Sequence, residues 1–262
     1  MSEAVFDSVP VANPGQHAED ELEPLLWAVS ARVWHRISHD ANNRLSTILG
    51  HSEIALQAKQ QDRMVRALEV SVGSAMDLRT AFMSLADLMR GARVREMSRA
   101  NIPDSVRVVG TLLNRALEKS SIRVLVPEGS LPSLVCDRRA IASAVAGLTL
   151  MVLEDPAATG GGEFAVSYHA GDGQVAIRID AAFDRAADHA VDSNAGCERI
   201  EERLARAVAR SHGGALTIVR SARTLRYELS CLTSLPIEAL TPRSASEPSF
   251  EAMMARIALQ AV

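Results

Sequence analysis

Between Leu25 and Arg90 the chain holds no proline and only two glycines, Gly50 and Gly73. Over such a length the backbone has little reason to leave the helical conformation, except at the polar break QAKQQDR at 57–63, so the stretch predicts two long helices folded back on each other. In the first, Ile37, Ala41, Leu45, Ile48 and Ala55 follow the three-and-four spacing of a buried face, with Leu49 and Leu56 widening the stripe. In the second, Leu68, Ala75, Phe82 and Met89 recur every seven residues, and Val65, Val72 and Ala86 form a companion seam interrupted at Arg79. A lone hairpin leaves half of each stripe in water. The pattern therefore predicts a homodimer whose two hairpins make a four-helix bundle.

The periodicity changes after Arg90. A polar connector, GARVREMSRANIPD, leads into a helix-like run from Ser105 to Lys119 with Asp104 as its expected N-cap. Strand-like IRVLV at 122–126, a helix-like segment at 138–153, a Gly-rich turn at 158–163 and two alternating strands, 164–169 and 174–179, follow. A further helix at 197–211 ends at Gly213 and Gly214, and strands at 215–220 and 225–232 complete an α+β layer sandwich. The expected organisation is a flexible tail at 1–22, a helical hairpin dimerisation domain at 23–92, an α+β domain at 103–238, and a tail at 239–262 with a proline-opened amphipathic helix. The glycines at 160–162, between a helix and a strand, read as a turn rather than a phosphate loop.

With 262 residues, 47% of them hydrophobic, the chain has enough apolar material for two modest cores. Its net charge of −4, with 28 basic and 32 acidic side chains well mixed, supplies no basic field for nucleic acid. Cys136, Cys197 and Cys231 are odd in number and widely spaced, so neither a disulfide framework nor a metal site is expected. The longest apolar run, Ile141 to Leu153, is too short for a membrane span. The acidic N-terminus lacks the basic start and apolar core of a signal peptide. These features together predict a cytoplasmic protein without membrane contact.

The chemistry-bearing residues lie on the first helix, in RISHDANNRLSTILGHSEIAL. At about 100° per residue, His39 stands about 200° from Ile37, opposite the apolar stripe, with Asn43 one turn on. A histidine so placed is free to attack a phosphoryl group presented by a partner. Asp40 is suited to hold the second ring nitrogen, and Asn43 to position a phosphoryl or a water without adding charge. An isolated exposed histidine on a helix is usually incidental, and His51 and His212 read that way. His39 differs in its company: a bundle-forming hairpin with an α+β module directly downstream.

The stretch SHDANNRLSTILGHSEIAL resembles the phosphoacceptor box of two-component histidine kinases: a serine, the histidine, an acid, two variable residues, asparagine or threonine, proline and leucine. His39, Asp40, Asn43 and Leu45 match in order, while Arg44 takes the proline position and implies a straighter helix. The resemblance covers roughly residues 23–235 and implies that the second domain is an α/β sandwich of the kinase ATPase type.

The nucleotide boxes of that family are degenerate here. Gly147 and Met151 stand where asparagines normally hold magnesium and phosphates, and a thioether cannot replace an amide at magnesium. Asp180 is within one position of the adenine-reading acid, but the following DAAFDRAADHA lacks its glycines. Counting back from the HGG-like end at 212–214, the glycine positions hold Arg199 and Glu201, and a carboxylate there would repel phosphate. The resemblance thus implies a dimeric histidine phosphotransferase, exchanging a phosphoryl group between His39 and the aspartate of response-regulator receiver domains. Its own chain binds no cofactor or metal, Mg²⁺ being supplied by the regulator. Arg32, Arg36 and Arg44 are the residues expected to meet that acidic partner. Two other readings remain open: an ATP-dependent sensor histidine kinase with an atypical nucleotide site, and a non-catalytic regulator or phosphatase of a response regulator.

Overall fold

Helix α1 spans Pro14–Gln57 and α2 spans Gln61–Arg90, antiparallel and in contact along their length. The computed structural model describes residues 14–90, 97–125, 134–171, 173–185 and 198–232. The turn between the helices falls on the expected polar break. Their mutual seam is built from small side chains and leucines: Ala41 and Ala55 on α1, Ala67, Ser71 and Leu78 on α2. Ser71 hydroxyl donates back to Ala67 carbonyl at 3.1 Å, which hides its polarity in the seam. The stripe with the seven-residue repeat faces elsewhere. Leu68 and Phe82 are exposed, as are Val65, Val72 and Met76 beside them and Leu45, Leu49 and Leu56 on α1.

Helix α1 begins nine residues before Glu23, inside the segment expected to be a flexible tail, and carries Pro24 in its interior. Packing explains this. Leu22, Leu25, Leu26, Val29, Val33 and Ile37 are buried in one core with the second domain. At about 1.5–3 kcal/mol for each buried aliphatic side chain, they outweigh the roughly 3 kcal/mol that an interior proline costs a helix. The lower half of the α1 stripe is therefore covered by the chain's own second domain.

That domain contains β1 (Met97–Ala100), α3 (Ile102–Lys119), β2 (Ile122–Leu125), β3 (Leu134–Asp137), α4 (Arg138–Leu153), β4 (Gly162–Gly171), β5 (Gln174–Phe183), α5 (Ile200–Ser211), β6 (Leu216–Arg220) and β7 (Thr224–Leu232). Five strands form one sheet in the order β2-β4-β5-β7-β6, antiparallel except for the β2–β4 pair. Strands β1 and β3 make a separate antiparallel pair. Along β5, Val175, Ile177, Ile179 and Ala181 are buried and the residues between them are more open, the period-two signature of a sheet covered on one face. The result is a helical hairpin followed by an α/β sandwich, the fold class read from the sequence.

Helix α4 is the middle layer. Every residue from Ala140 to Val152 is buried, because the helix lies against its neighbours α3 and α5, the sheet, and α1. Its start is fixed by Asp137, whose carboxylate accepts from the N–H groups of Arg139 and Ala140, both at 3.0 Å. Helix α3 differs from expectation: its N-cap is Asn101, and Asp104 lies in the first turn, paired with Arg107 at 2.8 Å. The HGG segment is a structural helix end. Gly213 takes φ +69°, Gly214 N–H donates to Ala209 carbonyl at 2.9 Å, and a Cβ on Gly214 would stand 1.9 Å from Ser230 oxygen. His212, read from the sequence as incidental, is fully buried: Nδ1–H donates to Val208 carbonyl at 2.8 Å, and Nε2 accepts from Asp137 N–H at 3.0 Å. The expected C-terminal helix and Cys197 lie outside the described residues.

Candidate functional site

His39 stands on the open side of α1, its side chain 76% exposed. The helix places two partners beside it: Asn43 Nδ2 is 3.3 Å from His39 Nδ1, and Asp40 Oδ1 is 3.7 Å from the same nitrogen. The first is hydrogen-bond distance and the second is not. Asp40 is instead bonded by the ammonium of Lys119, the last residue of α3. Asn43 thus engages Nδ1 and Asp40, expected to hold it, does not, while among the described residues no hydrogen bond engages Nε2. Nε2 is the ring nitrogen that faces solvent.

Of the three arginines expected to meet a partner, the structure leaves only Arg36 on the exposed face of α1. Arg32 is turned into the second domain, where Nη2 bonds both carboxylate oxygens of Glu154 at 2.7 Å and Nη1 pairs with Glu201. Arg44 pairs with Asp77 of α2 and is largely covered. Both pairings have one cause. Each arginine found a carboxylate on a neighbouring element, which helix periodicity cannot display.

The residues read from the sequence as degenerate nucleotide boxes lie near one another with one exception. Glu201 is completely buried in the first turn of α5, where the helix dipole favours an anion. Arg32 pairs with it from α1, and Arg199 Nε stands 3.7 Å from its second oxygen while its Nη2 bonds Glu154. Gly147 on α4 faces the same place: a Cβ there would stand 3.1 Å from Val29 Cγ1 and 3.3 Å from Glu201 Cβ. Met151, one turn on, is buried with its sulfur accepting from Tyr227 hydroxyl at 3.7 Å. Asp180 is the exception. It lies on the other face of β5, paired with Arg226 across the β5–β7 register, and has no share in this cluster. A magnesium triphosphate does not fit these residues: α1 packs against α4 and α5 at Gly147, and neither Gly147 nor the Met151 thioether offers magnesium an oxygen ligand.

Lys119 and Glu154 carry no mark in the sequence pattern. Lys119 sits 79 positions from Asp40 and Glu154 sits 122 from Arg32, so neither has a local signal.

No family model and no curated protein matches the chain. Among solved structures, the Acinetobacter baumannii histidine kinase AdeS aligns at 12% identity and TM-score 0.45, covering 75% of this chain and 98% of that one. The histidine kinase domain of an Erythrobacter litoralis blue-light activated histidine kinase aligns at 13% identity and TM-score 0.46, covering 75% and 100%. The histidine kinase ThkA in complex with response regulator protein TrrA aligns at 12% and 0.45, covering 86% and 68%. Likeness of this degree says nothing of chemistry.

Proposed function

We propose that this chain is a two-component phosphorelay protein. His39 accepts a phosphoryl group from the aspartate of a response-regulator receiver domain and returns it to the same or another regulator. The carrying observation is the open histidine with Asn43 at its other ring nitrogen and Asp40 adjacent on the same helix. ATP is not the phosphoryl source in this reading, which the mismatch at Gly147, Met151, Arg199 and Glu201 supports. Mg²⁺ is held by the receiver. The exchange needs no nucleotide, since phosphoaspartate and phosphohistidine are both high-energy donors.

The working unit in this reading is a homodimer. The exposed Leu45, Leu49, Leu56, Leu68, Val72 and Phe82 make a continuous apolar need along both helices of the hairpin, and a second hairpin satisfies it as a four-helix bundle. Trp34 and Phe82, with ring centroids 6.1 Å apart, extend that stripe toward the second domain.

Incubation with a phosphorylated receiver domain tests the relay. Label is expected on the wild-type chain and absent from His39→Ala. Equal labelling of both, or of neither, overturns it. Mg·ATP alone is expected to leave the chain unlabelled.

A further inference from the structure

Lys119 ends α3, and its ammonium bonds Asp40 Oδ1. That same oxygen lies 3.7 Å from His39 Nδ1, beyond hydrogen-bond reach, while Asn43 Nδ2 occupies the nitrogen from 3.3 Å. An amide NH₂ group only donates, so Nδ1 is the acceptor and the neutral ring carries its hydrogen on Nε2. A nitrogen bearing hydrogen has no in-plane lone pair to offer phosphorus. The lysine and the amide together hold the phosphoacceptor in its non-nucleophilic tautomer.

We propose that Lys119 is a positioning residue of the relay, a latch from the second domain that keeps Asp40 from His39 until an acidic partner draws the ammonium away. This rests on the relay reading of His39. A receiver's phosphoryl group and metal-binding carboxylates form a concentrated anionic surface, and Lys119, 42% exposed, is placed within the site's own surroundings to answer it. With the ammonium withdrawn, Asp40 takes the place of the Asn43 amide at Nδ1: the ring gives its Nε2 proton to water and takes one from water at Nδ1, Asp40 Oδ1 accepts that Nδ1 hydrogen, and Nε2 presents its lone pair. The Nε2–P bond then forms as the aspartyl O–P bond breaks. The electron pair leaves with the receiver's carboxylate, and the ring becomes an imidazolium whose Nδ1 proton is shared with Asp40. Docking and activation of the nucleophile are thereby one event.

The test uses the full chain as wild type, Lys119→Met and Lys119→Arg. An exposed ion pair contributes little to stability, so the methionine variant is expected to fold normally. Ring-nitrogen NMR of His39 without any partner is expected to show the Nε2–H form in wild type and Lys119→Arg, and a rise in the Nδ1–H form in Lys119→Met. Transfer from a phosphorylated receiver at saturating concentration is expected to be about two- to fivefold faster in Lys119→Met, the size of an exposed ion pair's competition. An unchanged tautomer with an unchanged or slower rate overturns the latch. Absence of label from wild type and Lys119→Met alike would instead overturn the relay, and the ring signals would still report on the latch.

Discussion

Arg32 on α1 and Glu201 on α5 are partners across the two domains, and the carboxylate in that pair is fully buried. Removing the arginine leaves the buried charge with Arg199 at 3.7 Å as its nearest remaining counter-charge. Arg32→Ala is expected to destabilise the chain by about 2–3 kcal/mol, somewhat below the cost of opening a wholly buried pair because Arg32 itself is partly exposed. Urea unfolding checks this. Arg32→Ala combined with Glu201→Gln should recover part of the loss, since the stranded charge is gone.

Of the three arginines Arg36 is the exposed one, and in the relay reading it is the one that meets the receiver. Arg36→Ala is expected to weaken receiver docking several-fold, most clearly at low salt, because one surface charge acts mainly through long-range attraction. Arg44→Ala, whose guanidinium already holds Asp77, is expected to change docking far less. Titration of the two variants with a receiver domain at two ionic strengths separates them.

What the sequence displayed was everything governed by local pattern. The hairpin, its turn, the alternating strands and the exposed His39 beside Asp40 and Asn43 are each set by spacing within a few turns or a strand. What it concealed was pairing across long separations. Residues 14–22 looked like part of a tail because helix propensity knows nothing of the core that Leu22, Val29 and Val33 join. His212 looked incidental because its hydrogen bond to Asp137 N–H links positions 75 apart. Asp180 looked close to a box because register within one strand decides the face, and a single position moves a side chain to the opposite side of the sheet.

His212 gives a direct stability prediction. Its replacement by alanine removes a buried ring and leaves the Asp137 N–H, at the start of α4, without its acceptor. His212→Ala is expected to cost about 2–4 kcal/mol, combining the cavity with an unmade buried hydrogen bond. A lowered denaturant midpoint at unchanged slope is the expected observation.

Cys136 and Cys231 are buried, and desolvation pushes both thiols up to about 12 from the ordinary value of 9. A neighbouring Asp137 carboxylate adds to the effect at Cys136. The native state keeps these protons that the unfolded chain releases, so the stability they contribute is whole below pH 9 and is lost as the pH rises from 9 toward 12. Alkylation of both is expected to wait for unfolding at pH 8, because the native thiolate is scarce there. Mass mapping of native and denatured samples checks the order.

Asparagines at positions 147 and 151 test the reading in which ATP is not the phosphoryl source. Gly147→Asn with Met151→Asn puts the two asparagines on α4, yet the first must enter a place where even a Cβ stands 3.1 Å from Val29 and 3.3 Å from Glu201. The second trades a buried sulfur that accepts from Tyr227 for a polar amide. Overpacking and an unmatched buried amide predict a loss of about 2–4 kcal/mol. No gain of Mg·ATP binding is expected by calorimetry, because α1 still packs over the Gly147 position. Binding gained by these two substitutions would mean that α1 yields the cleft readily. The obstacle to ATP would then be the side chains alone and not the packing of the hairpin on the second domain.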